Sequence, residues 1–209
     1  SFFFIYTAFY YKASSDALSL LEEETVIDHG SYLEIGSGKP IIFYPGAKVE
    51  PVAYLPLLTR LSSEGYRVFL MKMPFNLAIF GINRADTIFK NHPEIESAVM
   101  MGHSLGGAMA SSYTSKHDDR VEALILLGAY PYGDVDKDKT LSIIGSLDSA
   151  LEKIEEDDNL VVIQGGNHAQ VGDYGEQKGD KEATITRREQ QEQTVDVILT
   201  FLRRRDVTQ

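Results

Sequence analysis

The 209-residue chain contains no cysteine. Disulfide staples, thiolate nucleophiles and zinc–thiolate centres are therefore excluded, and no redox compartment is indicated. Basic residues are scarce. There are 20 Lys and Arg against 31 Asp and Glu, a net charge of −11. Such a surface repels phosphate backbones, so a nucleic-acid partner is not expected. The motifs H-E-x-x-H, G-x-x-x-x-G-K-[ST] and a post-strand G-x-G-x-x-G are absent, and neither a metal nor an organic cofactor is expected. Long apolar runs are lacking too. Ser1 to Tyr11 is nearly all apolar or aromatic, but a bilayer span needs about 20 residues. That segment has two readings. It packs on the domain, or it is the trailing end of a removed signal or membrane anchor. The second reading would tether the protein outside the cytoplasm; the alternative is a cytoplasmic protein.

What is present is ordinary globular material, 43% hydrophobic and 24% charged, enough for one full core. There is no repeat and no linker. We therefore expect an apolar N-terminal segment at 1–13 and a single domain at 14–209. Ser14 to Glu24 has helical spacing, followed by a β-hairpin, Thr25 to His29 and Tyr32 to Ile35. Continuous apolar runs such as Pro40 to Tyr44 suit strands buried on both faces. Further strands are expected at Tyr66–Met71, Ala98–Met101, Val121–Leu127, Leu141–Ile144 and Leu160–Ile163. Helices are expected at Pro51–Glu64, Ile82–Asn91, Leu105–Lys116, Ala150–Glu155 and Glu189–Arg204, with Pro56 disturbing the first turns of its helix. This alternation predicts an α/β fold, a mostly parallel twisted sheet of about eight strands with helices on both faces. Gln170 to Arg188 is the one long polar connection, and such loops are usually functional or disordered.

The most informative feature is Gly102-His103-Ser104-Leu105-Gly106, with an apolar run before it and small residues after it. G-x-S-x-G between a strand and a helix is a nucleophile elbow. Serine in a strained turn needs neighbours without bulk, hence glycine two before and two after. The turn exposes Oγ and leaves the Leu105 N–H at a helix N-terminus, where an oxyanion can form.

A serine nucleophile needs a histidine base and a third group to orient it. Of five histidines, only His168 lies in a loop just after a sheet strand, where ligands of open α/β sheets gather. His103 adjoins the serine, but its side chain should point away from Oγ. Asp148 follows Leu141–Ile144 and falls between serine and histidine in chain order. Its plainer role is a helix N-cap. The second oxyanion donor should come from Tyr44-Pro45-Gly46-Ala47. Proline has no N–H, so Ala47 is the choice; a tight turn needing glycine is the plainer explanation. Gly46, Phe75 and Asn76 are candidate pocket residues at the same sheet edge.

These motifs resemble the α/β-hydrolase superfamily over almost the whole chain. Ile42 to Val49, Met71 to Ala78, Gly102 to Gly107 and Gly166 to Gln170 also resemble small bacterial hydrolases distantly similar to dienelactone hydrolases. Members often carry an N-terminal membrane anchor, which favours that reading of residues 1–11. Dienelactone hydrolases proper use cysteine, so their activity is not implied. The resemblance implies a serine hydrolase of carboxylesterase type acting on small-molecule esters, with Ser104, Asp148 and His168 as triad. The alternatives are an acyltransferase with the same triad and a non-catalytic binding protein. Only about a dozen residues join Leu127 to Leu141, too few for a cap domain. An open site suited to small esters is expected, with the Gln170–Arg188 loop partly covering it.

Overall fold

Ile41, Ile42, Phe43 and Tyr44 have no solvent exposure. Consecutive residues of a strand face opposite ways, so such a run must be covered on both sides. Ile41 and Phe43 join one hydrophobic cluster, and Ile42 and Tyr44 the other. In the computed structural model, which describes residues 10–76 and 81–208, these residues belong to one eight-stranded sheet.

The strands are β1 (Val26–Asp28), β2 (Tyr32–Ile35), β3 (Lys39–Tyr44), β4 (Tyr66–Met71), β5 (Ala98–His103), β6 (Val121–Leu127), β7 (Thr140–Gly145) and β8 (Leu160–Ile163). Their spatial order is β1-β2-β4-β3-β5-β6-β7-β8. The β1–β2 and β2–β4 pairs are antiparallel and every later pair is parallel. The chain steps from β3 to β4 on one side, then returns past β3 to β5 on the other. That reversal opens a crevice beyond the carboxyl ends of β3 and β5, the usual ligand position in such sheets.

Two helices, α2 (Leu55–Ser62) and α5 (Arg187–Thr208), cover one face through Leu55, Leu58, Leu61, Ile198 and Leu202. The other face is covered by α3 (Ala85–Asn91) and α4 (Leu105–Lys116) through Ile88, Met109, Ala110 and Tyr113. The β6–β7 connection holds only a 3₁₀ turn at Lys137–Lys139, so no cap domain is inserted.

Several elements differ from expectation for local reasons. The helix expected over Ser14–Glu24 stops early, as α1 (Ser15–Ser19) and a 3₁₀ turn at Leu20–Glu22. Three consecutive glutamates, Glu22 to Glu24, oppose the negative end of a helix. Pro51–Tyr54 is 3₁₀, and Pro56 sits in the first turn of α2, where its missing N–H costs no intrahelical bond. α3 begins at Ala85, and Ala150–Glu155 is replaced by a 3₁₀ turn at Ser149–Lys153. β5 runs two residues further, to His103.

The described residues just before α1, Tyr11 to Ser14, contact the domain. Tyr11 forms a parallel bridge with Val49; Glu50 N–H donates to the Tyr11 carbonyl at 2.9 Å, and Ala13 N–H to the Glu50 carboxylate at 2.7 Å. Ser14 N–H reaches Asp173 O at 2.8 Å, and Lys178 N–H reaches Tyr11 Oη at 3.2 Å. The anchor reading concerns Ser1 to Tyr11, of which Ser1–Phe9 lie outside the described residues. Among the described residues no helix is long and apolar enough to cross a membrane.

Ile198 is fully buried where α5 meets the sheet. Ile198→Ala should therefore cost about 2–5 kcal/mol, read as a lower urea midpoint with an unchanged m-value.

Candidate active site

Ser104 stands between β5 and α4 with φ 56° and ψ −126°. A non-glycine residue there carries about 1–3 kcal/mol of strain, so the surroundings must hold it. Its N–H donates to Leu127 O at 2.9 Å, and its carbonyl accepts Ala108 N–H at 3.1 Å. The glycines make the turn possible. A Cβ on Gly106 would lie 2.2 Å from Pro45 O and 2.3 Å from Tyr44 O. One on Gly102 would lie 2.5 Å from the carbonyl carbon of Gly106. Leu105 opens α4, so its N–H has no carbonyl one turn earlier in the helix.

His168 lies just after β8. Its Nδ1 pairs with Asp148 Oδ2 at 2.7 Å, and Asp148 is buried. The other oxygen, Oδ1, accepts the Ala150 N–H at 2.9 Å and caps the Ser149–Lys153 turn. Asp148 thus holds the imidazole with one oxygen and caps a turn with the other. A carboxylate oxygen opposite Nδ1 draws the proton there and leaves the Nε2 lone pair available.

The backbone of His168 is pinned as well. Asp180 accepts the His168 N–H at 3.2 Å and the Ala169 N–H at 2.8 Å, one on each oxygen. Gln190 of α5 holds the preceding residue: its Oε1 accepts Asn167 N–H at 3.1 Å and its Nε2 donates to Asn167 O at 2.7 Å.

His103 is buried, and its ring bonds to Tyr54 and to the His168 backbone. Its Nε2 lies 2.9 Å from His168 O, and its Nδ1 lies 2.7 Å from Tyr54 Oη. The imidazoles of His103 and His168 are 4.7 Å apart at 35°. Burial, then the neighbouring His168, hold the His103 pKa well below the ordinary histidine range. The other histidines are engaged elsewhere: His29 with Glu34, His92 with Tyr32, and His117 against the Tyr113 ring.

Ser104 and His168 line one cavity of about 490 Å³. Leu105, Ala108, Ala129 and Leu147 give it apolar walls, and Tyr130 and Tyr132 come from the β6–β7 connection. Asp148 to Ala150 and Lys153 line it from the β7–β8 connection, and the polar 170–188 loop adds Gln177 to Lys181 as a partial cover. Gly46, Ala47 and Asn76 fall outside this lining. Gly46 N–H is given to Tyr54 Oη at 2.9 Å, and Asn76 O accepts Lys48 N–H at 2.6 Å, so both brace the turn that carries Ala47. The Phe75 side chain lies outside the described residues.

One group of carboxylates among the described residues is close enough to hold a metal ion, Glu155, Asp157 and Asp158. Lys137 already contacts all three, at 3.4, 2.6 and 3.2 Å. They precede β8 and so lie at the amino edge of the sheet, opposite Ser104.

The family model described as "Alpha/beta hydrolase family" matches residues 40–192. The chain belongs to that family. A "Putative non-heme haloperoxidase" of Mycobacterium phage D29 is 31% identical over 104 residues, covering 46% of this chain and 37% of its own. An AB hydrolase superfamily protein of Bacillus subtilis (strain 168) is 26% identical over 126 residues, covering 48% and 45%. The matched stretch is thus less than half the length of either relative. The fold is shared with an alpha/beta hydrolase enzyme from a lagoon-sediment metagenome of Mar Chica, Morocco. The TM-score is 0.60 at 17% identity, with 87% of this chain and 99% of that one covered. A carboxylesterase structure from Nitrososphaera gargenis gives 0.58 at 14% identity, with 88% and 100% covered.

Sequence reasoning did not single out Tyr54, Asp180 or Gln190. Asp180 stands in a loop crowded with charge, and no local pattern marks it. Tyr54 reads as one more apolar residue of a helix.

The buried neutral His103 predicts a pH effect. Its folded pKa is depressed, so the unfolded chain takes a proton that the folded chain refuses. This contribution is full above about pH 6.5 and is lost as pH falls below it, by up to about 1.4 kcal/mol per unit. Urea midpoints at about pH 7.5 and about pH 5.5 should show the acid loss in wild type and a smaller one in His103→Gln. Equal losses would mean that His103 takes up its proton without cost.

Proposed function

We propose that the protein is a serine hydrolase of carboxylesterase type. The observation that carries the reading is one cavity lined by both a serine on a strained strand-to-helix turn and a histidine bonded to a buried carboxylate. Three elements distant in sequence have no packing reason to converge there with polar side chains.

In this reading Ser104 Oγ attacks the acyl carbon while Nε2 of His168 takes its proton. Asp148, bonded to Nδ1 at 2.7 Å, keeps the imidazole in the tautomer that leaves Nε2 free and stabilises the imidazolium. The N–H groups of Leu105 and Ala47 receive the developing oxyanion. Collapse of the tetrahedral intermediate breaks the ester C–O bond, and the departing alkoxide takes the proton from His168. Water, deprotonated by His168, then attacks the acyl-enzyme; its collapse returns the proton to Ser104 Oγ and frees the acid.

The cavity supports small esters. Its apolar walls take a short acyl chain, and the β6–β7 connection adds no cap over it. Hydrolysis should be fastest on short p-nitrophenyl acyl esters, and a maximum at palmitoyl would overturn the small-ester assignment. A fluorophosphonate probe should label wild type and not Ser104→Ala. An unlabelled wild type, or equal labelling of the variant, would refute the serine-hydrolase reading. Asp148→Asn should fold and lower kcat by about 10³–10⁴-fold, because the histidine loses its orienting partner.

A further inference from the structure

Among the buried polar side chains that the proposed mechanism leaves unused are Tyr54 and His103. Their hydrogen bonds permit one direction only. A backbone carbonyl can only accept, so the His103 Nε2–H must donate to His168 O at 2.9 Å. His103 is held neutral by burial, so its Nδ1 is an acceptor. Tyr54 O–H therefore donates to Nδ1 at 2.7 Å, and the phenol oxygen accepts Gly46 N–H at 2.9 Å. The bonds run head to tail from the turn after β3, through the residue before Ser104, to the carbonyl of His168.

The same series bears on the oxyanion loop. Of the N–H groups from Gly46 to Val49, Gly46 gives its own to Tyr54, Lys48 to Asn76 O and Val49 to Gly46 O. The Ala47 N–H is the remaining donor of the turn.

We propose that Tyr54 and His103 are positioning residues. They lock the Gly46–Ala47 turn, the nucleophile elbow and the base-bearing loop into one register, so that Ala47 N–H meets the developing oxyanion while His168 meets Ser104 Oγ. The inference rests on the serine-hydrolase reading. A low-dielectric interior strengthens each bond and makes any broken member expensive.

Tyr54→Phe tests it, because the ring keeps its place against Phe43, 4.8 Å between centroids, and only the hydroxyl goes. Gly46 N–H and His103 Nδ1 then both lose their partner. With a short p-nitrophenyl ester, kcat should fall about tenfold or more while KM stays within about twofold. Fluorophosphonate labelling should slow in proportion. His103→Gln, whose amide offers one acceptor and one donor, should retain most of kcat; His103→Phe should not. Nitrogen-15 spectra of wild type should show His103 protonated at Nε2 and bare at Nδ1. Unchanged kcat in Tyr54→Phe, equal activity of His103→Phe and His103→Gln, or a proton on Nδ1 would each overturn the proposal. If wild type turns over while Tyr54→Phe matches it, this inference alone fails. If wild type neither labels nor turns over, the serine-hydrolase reading fails and the positioning role with it.

Discussion

Backbone meets backbone at the start of α4, and the rest of the site follows from that contact. The carbonyls of Tyr44 and Pro45 stand where a side chain on Gly106 would project, and Gly102 lies against Gly106 in the same way. Three pieces of chain can come this close only without side chains between them. Their closeness forces Ser104 into its left-handed turn and aims the first N–H groups of α4 at the crevice beside β3. Two of the three pieces end parallel neighbours in the sheet, so sheet register itself sets the distance between the turn after β3 and the serine.

The remaining parts arrive by the same logic of strand ends. Asp148 and His168 follow β7 and β8, neighbours in the sheet, so their side chains meet without any long-range guidance. What sharpens the meeting is the polar framework around it. Asp148 spends one oxygen on a turn and the other on the imidazole. His168 is gripped at its N–H, its carbonyl and its ring. A residue fixed at two backbone points and at its ring has little further freedom to lose, which is the physical content of preorganisation.

Much of this was legible in the order of residues, and for identifiable reasons. Apolar runs bounded by turn residues announced β3 to β7, because strands buried on both faces tolerate little else. Ser104 was legible because its turn imposes glycine at fixed offsets. His168 and Asp148 were legible because chain order and strand ends restrict where partners can stand. Helix limits were less so: glutamates 22 to 24 end a helix that apolar spacing alone would continue. Tyr54 and Asp180 were not legible at all. Their roles depend on one hydroxyl and one carboxylate reaching segments 49 and 12 residues away, and a single such contact leaves no periodic trace.

The docking of Tyr11 has a consequence for how the molecule opens. Its backbone is bridged to the turn behind Ala47, its hydroxyl accepts from Lys178 in the cavity wall, and its ring rests on Tyr174. Two loops that share no strand are thus fastened by one short stretch of chain. Loss of those contacts would loosen both loops together, although the second keeps its own bonds through Asp173 and Asp180. The cavity's mouth is therefore linked to Tyr11 through Lys178.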